Sequence, residues 1–287
     1  MARIPTCMCN NCNAIGTVKI EIANRGKGNG YMCEFHARQK ESYTTENDFR
    51  KGNRKANGFT FSMELETSFS NERIRGELLN KGFLPTYDCT VDVEYKSPIF
   101  EGLNAISKQA VSIESYMGTD ELRMDRDCGT HFHVGHAVHI NPETMRYLRR
   151  FNGSLFVPLS NAIMANPDKA RRFFGRHSNG WAEPVTMSDP SGDFEGWRMK
   201  HSAMFNLQHD YTIEFRQAKF VSANQYMNVA KFARDIVNCI INNFILHFNE
   251  QPTDTRRYPT IREYRVHKAQ VTANKMVALY EKYTANV

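Results

Sequence analysis

The chain has 287 residues, 41% of them hydrophobic and 24% charged, the ordinary balance of a soluble globular protein long enough for one large domain or two. Its formal net charge of +6 and pI near 8.9 favour anionic partners, but the excess is modest for a dedicated nucleic-acid binder and suits nucleotides and phosphates equally well. The longest apolar runs, such as "VNCIINNFILHF", are broken by Asn and Cys and too short to span a bilayer, and no basic segment followed by an apolar stretch opens the chain, so no membrane partner is expected and a cytoplasmic location is.

Four of the seven cysteines, Cys7, Cys9, Cys12 and Cys33, crowd the start of the chain, which suits a metal knuckle in a reducing compartment better than a disulfide framework. Cys9 and Cys12 form C-x-x-C, Cys33 and His36 form C-x-x-H, and "VKIEIA" alternates like a strand before a turn rich in Gly and Asn. Two ligand pairs joined by a hairpin predict a zinc ribbon over residues 1–38, with Cys9, Cys12, Cys33 and His36 on one structural Zn²⁺ and Cys7 as a substitute ligand. Residues 39–57 are polar, charged and almost free of aliphatics, hence a linker, and residues 58–287 form the second domain.

There "FTFSMELET" alternates as a strand, and "SNERIRGELLNKG" follows as a helix capped by Ser70 or Asn71, with Ile74 and Leu78 on one face and Gly82 as its stop. "VDVEYKSP" is a second strand, and the helix after it places Leu103, Ile106, Ala110 and Ile113 at helical spacing. "CGTHFHVG", residues 128–135, is a third strand, and "NPETMRYLRRF" opens a helix with Asn141 as cap and Pro142 in the first turn. Residues 166–200, rich in Gly, Pro and Arg, read as a long irregular loop. "SAMFNLQHDYTIEFRQ" is a hairpin turning at His209 and Asp210, then comes a long amphipathic helix from "SANQYM", and a last helix occupies roughly the final twenty residues. The helices after "EFRQ" are expected to cover the apolar back of the sheet.

Successive strand residues point to opposite faces. Glu64 and Glu66 therefore share a face opposite Met63 and Leu65, Asp92 and Glu94 a face opposite Val91 and Val93, His131 and His133 a face opposite Phe132 and Val134, and Glu214 and Arg216 a face opposite Ile213 and Phe215. A solvated outer face accounts for one such strand. Four strands carrying carboxylates and imidazoles fit a face lined with divalent cations, because close carboxylates repel one another unless cations neutralise them, and oxygen-rich clusters with one or two imidazoles suit Mg²⁺ or Mn²⁺.

These residues also carry a family resemblance. "GFTFSMELE", "VEYKSPI", "CGTHFHVG" and "MFNLQHDYTIEFRQ" resemble, in order, the G-x-x-x-x-x-E-x-E, E-x-x-S-P, C-G-x-H-x-H-x-G and N-x(6,8)-E-F-R elements of the amidoligase family, within the carboxylate-amine ligase superfamily of glutamate-cysteine ligase and glutamine synthetase. The zinc-like segment is not part of that pattern. The resemblance implies an α+β fold, a mainly antiparallel sheet forming a partial barrel backed by helices, that binds ATP and two or three divalent cations. It implies an enzyme that activates a carboxylate as an acyl phosphate for attack by an amine, the carboxylate and amine substrates being small molecules, a peptide or a protein. Glu64, Glu66, Glu94, His131 and Glu214 match its metal-ligand positions, with Glu64 and Glu214 also at the chemistry; His133 matches a ligand, a phosphate contact or an orienting group. Arg216 matches the arginine beside the transferred phosphoryl group, Asn206 lies on the neighbouring strand, and Arg176, Arg198 and Lys200, with Arg171 and Arg172, are candidates to bind phosphate.

Two other readings compete. A Mg²⁺-dependent nuclease would use Asp88 or Asp92 with Glu94 and Lys96, the zinc ribbon serving nucleic-acid binding, but it leaves Glu64, Glu66, the histidine pair and "EFR" without roles. A non-catalytic interaction module on the ligase scaffold would not need so many adjacent carboxylates.

Overall fold

The computed structural model describes residues 18–22, 28–32, 58–86, 91, 93–125, 128–176, 182–185 and 203–287, the first two stretches as backbone strands only. In chain order the elements are strands β1 (Val18–Ile22), β2 (Gly28–Met32), β3 (Phe59–Thr67) and β4 (Phe69–Ser70), helix α1 (Glu72–Asn80), strands β5 (Leu84–Thr86), β6 (Val93–Lys96) and β7 (Phe100–Glu101), helix α2 (Leu103–Met117) and strands β8 (Leu122–Arg123) and β9 (Thr130–His136). Helices α3 (Pro142–Arg150), α4 (Asn152–Met164) and α5 (Pro167–Phe174), strands β10 (Phe205–Asn206) and β11 (Ile213–Phe215), helix α6 (Ala223–Ile240), which continues as a π-helical turn over Ile241–Ile245, and helix α7 (Ile261–Tyr283) complete them. The result is a mixed α/β fold with mostly antiparallel strand pairing. No helix among the described residues is long and apolar enough to cross a membrane.

The chain divides into two compact units, and β3 runs from one into the other after Met63. The first unit comprises Met1–Arg54, Glu64–Ile99 and Tyr116–Cys128. Here the end of β3 pairs antiparallel with β6, and β6 with β5. Helix α1 begins where Asn71 accepts a hydrogen bond from the Ile74 amide at 2.9 Å, and it buries Ile74 and Leu78, the two residues that its periodicity singles out. Glu121, held by Arg73 with help from Thr119 and Asn71, has its carboxyl lowered to about 2, and so pins the start of this helix to the loop before β8. The strands β1 and β2 pair antiparallel, and Gly28, Asn29 and Gly30 of the Gly- and Asn-rich stretch expected at the turn lie in β2. Cys7, Cys9, Cys12, Cys33, His36 and the linker at 39–57 lie outside the described residues.

The second unit comprises Lys55–Met63, Phe100–Ser115 and Gly129–Val287. Its strand order is β10-β11-β9 and then the opening residues of β3, which also pair with β7. Pairing registers set Phe205 opposite Phe215 and Phe215 opposite Phe132, so three phenylalanines form one row across three strands. All three are fully buried, each adding about 2–3 kcal/mol of apolar burial. Tyr226 of α6 stacks on Phe132 at 4.2 Å between ring centroids, and Phe156 of α4 lies 5.1 Å from Phe205, so helices from both sides of the hairpin cover this apolar back. Burial pushes the Tyr226 hydroxyl well above its ordinary value. Helix α7 packs along α4 and α6 through Ala269, Thr272, Ala273, Met276 and Tyr280, spaced every three to four residues.

The loop expected over residues 166–200 is corrected for its first part: Pro167–Phe174 is helical. Its Asn, Pro and Gly are cap residues. Asn166 accepts from the Lys169 amide, Pro167 occupies the first turn, and Gly175 closes the helix in the left-handed region at φ +82. A Cβ on Gly175 would also abut the Lys219 carbonyl oxygen, so backbone conformation and close approach both require glycine there. The Gly175→Ala variant is expected to lose about 2 kcal/mol of stability in a urea titration with an unchanged m-value.

Candidate functional site

Each of the two units carries some of the polar residues singled out in the sequence. In the second unit, register and alternation act together. Because Phe215 faces Phe132 on the apolar side, Glu214 must face His133 on the other, and Asn206 pairs with Glu214 from β10. The row Asn206–Glu214–His133 thus runs beside the phenylalanine row, on the opposite face of the same three strands, with His131 and Arg216 two residues along. This face is not solvated. His131 and Glu214 are each 1% exposed, and Arg216 is 5% exposed.

A carboxylate buried to that degree costs several kcal/mol in lost hydration and persists only when donors converge on it. Arg216 Nη1 donates to Glu214 Oε1 at 2.7 Å, with His131 Nδ1 3.3 Å from the same oxygen. Asn206 Nδ2 donates to Oε2 at 2.6 Å, with His209 Nε2 at 3.2 Å. Asn206 is itself fixed, its Oδ1 accepting from the Gln208 amide at 2.9 Å. His133 Nδ1 lies 3.3 Å from the Thr212 hydroxyl, and its ring meets that of His209 edge-on at 4.8 Å. One ligand atom from each of His133, His209 and Glu214 lies within 4.8 Å of the others.

Arg176 is placed by the backbone. Its guanidinium donates to the Arg216 carbonyl and packs so tightly over Gly129 that a Cβ there would lie 2.6–2.8 Å from it. Glycine at 129 lets the arginine approach the start of β9 and hold the residue whose side chain sits on the polar face. Arg171 and Arg172 project from α5 at exposed positions; Arg198 and Lys200 lie outside the described residues.

The first unit gathers the other carboxylates. Glu66 is paired directly with Glu94 and Glu64 with Lys96, so all four side chains share one face of β3 and β6. Lys96 Nζ lies 3.4 Å from both Glu64 and Glu94, and Thr86 on β5 donates to Glu94 at 2.8 Å. Glu64, Glu66 and Glu94 are all buried, Glu64 and Glu94 within reach of the Lys96 ammonium, and like charges directly opposite on neighbouring strands are unfavourable without a cation. Asp88 and Asp92 lie outside the described residues.

Sequence reasoning treated His209 only as a turn residue. Strand alternation stops at a loop, so no periodicity reaches it, and nothing in "LQHDYT" distinguishes a histidine folded back over its own hairpin from one in solvent. Thr86 was missed for a similar reason: its role depends on the β5–β6 register.

No protein-family model and no curated protein sequence matches this chain. Among solved structures it is similar to one described as the crystal structure of a novel glutamine synthase homolog, with 14% sequence identity and a TM-score of 0.35 over 83% of this chain and 68% of that one. At that level of likeness the chemistry of the site has to be read from this chain's own residues.

Asn206→Ala removes the shortest donor to the buried Glu214 carboxylate. It is expected to cost about 2 kcal/mol in denaturant unfolding, whereas the same change at the exposed Gln208 should cost less than about 0.5 kcal/mol.

Proposed function

We propose that this chain is an ATP-dependent carboxylate–amine ligase with a glutamine-synthetase-like partial-barrel scaffold, forming an amide or isopeptide bond through an acyl phosphate. The observation that carries the reading is the buried row Asn206–Glu214–His133 with His131 and Arg216 on the same face. Carboxylate, imidazole and guanidinium held out of water are the groups a phosphoryl transfer needs, and they lie in the H-x-H and E-F-R elements that resemble the amidoligase pattern. The donor sets fit hard divalent cations: three carboxylates on one face of β3 and β6 in one unit, and a carboxylate with imidazoles in the other. Glu64, Glu66 and Glu94, and His131 with Glu214, are the proposed Mg²⁺ or Mn²⁺ ligands. Such cations, when bound, supply charge neutralisation for the phosphates of ATP.

In this reading a substrate carboxylate oxygen attacks the γ-phosphorus and ADP departs. The amine nitrogen then attacks the acyl carbon, inorganic phosphate leaves, and the nitrogen gives up a proton. Arg216 contributes planar, permanently charged donors to the phosphoryl oxygens, for which a lysine point charge is a poor substitute. Glu214, 2.7 Å away, orients that guanidinium, and Arg176 fixes the backbone that carries it.

The test is formation of a hydroxamate from Mg²⁺-ATP, hydroxylamine and a panel of amino-acid and peptide carboxylates, with ADP release measured in parallel. Arg216→Lys should lower turnover about a hundredfold or more, leaving the melting temperature and Mg²⁺ affinity nearly unchanged. A protein that fails to bind Mg²⁺-ATP overturns the reading. Mg²⁺-dependent cleavage of nucleic acid without ATP turnover would establish the nuclease in its place, and a lower melting temperature with normal turnover in Arg216→Lys would make the Arg216–Glu214 pair structural.

We propose separately that Cys9, Cys12, Cys33 and His36 bind one structural Zn²⁺, because a Cys–Cys pair and a Cys–His pair, one on each side of the β1–β2 hairpin in the sequence, supply a complete tetrahedral set of three thiolates and one imidazole. The purified chain should carry about one equivalent of zinc, lost in Cys33→Ser. Zinc retained by that variant would refute the assignment.

A further inference from the structure

We propose that His133, His209 and Glu214 form a two-histidine, one-carboxylate site selective for a first-row transition-metal ion such as Mn²⁺ over Mg²⁺. The proposal deepens the ligase reading, sharing Glu214 with it, and adds a ligand, His209, from the hairpin loop instead of a strand.

Three observations converge. Ligand atoms of the three residues lie within 4.8 Å of one another, and His209 Nε2 is already 3.2 Å from Glu214 Oε2. Ligands held about 2.1 Å from one ion sit roughly 3–3.5 Å apart, so closing the set asks only for small side-chain shifts. The orientation of His133 is set by its Nδ1 contact with the Thr212 hydroxyl at 3.3 Å, so Nε2 is the nitrogen that would meet the ion.

His209 lies in a loop, and loops seldom hold a ligand accurately, but this one is clamped. Arg149 of α3 donates to the carbonyls of Leu207 at 2.7 Å, Gln208 at 3.3 Å and His209 at 3.1 Å, and to the Asp210 carboxylate at 2.9 Å. One guanidinium thus fixes four consecutive residues, among them the one whose imidazole turns back onto Glu214. Such support is what a rigid ligand requires.

The chemistry then selects the metal. Glu214 accepts full-strength hydrogen bonds from Arg216 and Asn206, one at each oxygen. Two imidazoles meeting edge-on at 4.8 Å beside a carboxylate already so well supplied are more than an ion pair needs, but they are two of the three ligands of a facial triad. Imidazole nitrogen is a softer donor than carboxylate or water, and Mg²⁺ gains little from it. His209 should therefore contribute to binding of transition-metal ions and hardly at all to Mg²⁺.

The test uses the full-length chain and Mn²⁺, followed by loss of the free-ion electron paramagnetic resonance signal and by nitrogen modulation of the spin echo from the bound ion. The unaltered protein should show imidazole nitrogen coupled to Mn²⁺. His209→Gln should raise the Kd for Mn²⁺ on the order of a hundredfold and shrink the nitrogen modulation, while the Kd for Mg²⁺, read by competition, changes less than about threefold. Bound Mn²⁺ without nitrogen modulation in the unaltered protein, or unchanged Mn²⁺ affinity in His209→Gln, overturns the site, and neither depends on how the variant folds if the unaltered protein is measured first. Hydroxamate formation that persists alongside either result would leave the ligase reading standing. A His209-dependent Mn²⁺ site in a protein that turns over no ATP would instead support the metal site and sink the ligase.

Discussion

The antiparallel pairing of β11 with β9, Glu214 opposite His133 and Phe215 opposite Phe132, is the constraint on which the rest of the second unit depends. Side chains alternate with a period of two, so a slip of a single residue would carry Phe215 to the polar face and Glu214 into the aromatic layer under α6. The stacking of Tyr226 on Phe132 and the burial of Phe205 against Phe156 resist that slip. Apolar packing on one side of the hairpin is thereby converted into accurate placement of charged groups on the other. The cost of burying Glu214 is met by four nitrogen-bearing side chains, from β9, β10, the hairpin loop and the residue that follows β11.

Two arginines outside the polar row keep this arrangement fixed. Arg176 reaches the Arg216 carbonyl from the end of α5, and Arg149 gathers the hairpin loop from α3. Both donate to backbone carbonyls beyond the regular strand residues of β10 and β11. The fork of a guanidinium suits this task because its several donors lie in one plane and keep their charge. Helices whose residues never enter the polar row thus decide where its side chains stand.

The two polar groups differ in kind. Around Glu214 the charges are mixed, and hydrogen bonds between neighbours satisfy them. Around Lys96 two carboxylates, Glu64 and Glu94, flank one ammonium, and Glu66 stands opposite Glu94 on the neighbouring strand. The first arrangement favours orientation and discrimination among ligands, the second simple attraction of positive charge.

Much of this was legible in the sequence, because alternation and capping are local rules. The strands around Glu64, Glu94, His131 and Glu214, the apolar stripe of α1, the Asn141 cap and the hairpin at His209 and Asp210 all follow from spacing alone, whereas the choice of Asn71 over Ser70 as the cap of α1 needed the structure. Local rules also misled: Asn166, Pro167 and Gly175 punctuate a helix and were read as punctuating a loop, since the same residues serve both and only the apolar partners of Phe173 and Phe174 decide between them. The sequence by itself determined which residues share a face of each strand, because the pleat imposes that on any chain. Which strands lie side by side, that Asn206, Glu214 and His133 fall in one row, and that His209 folds back onto that row depend on pairing between segments far apart in the chain, and only the tertiary structure decided them.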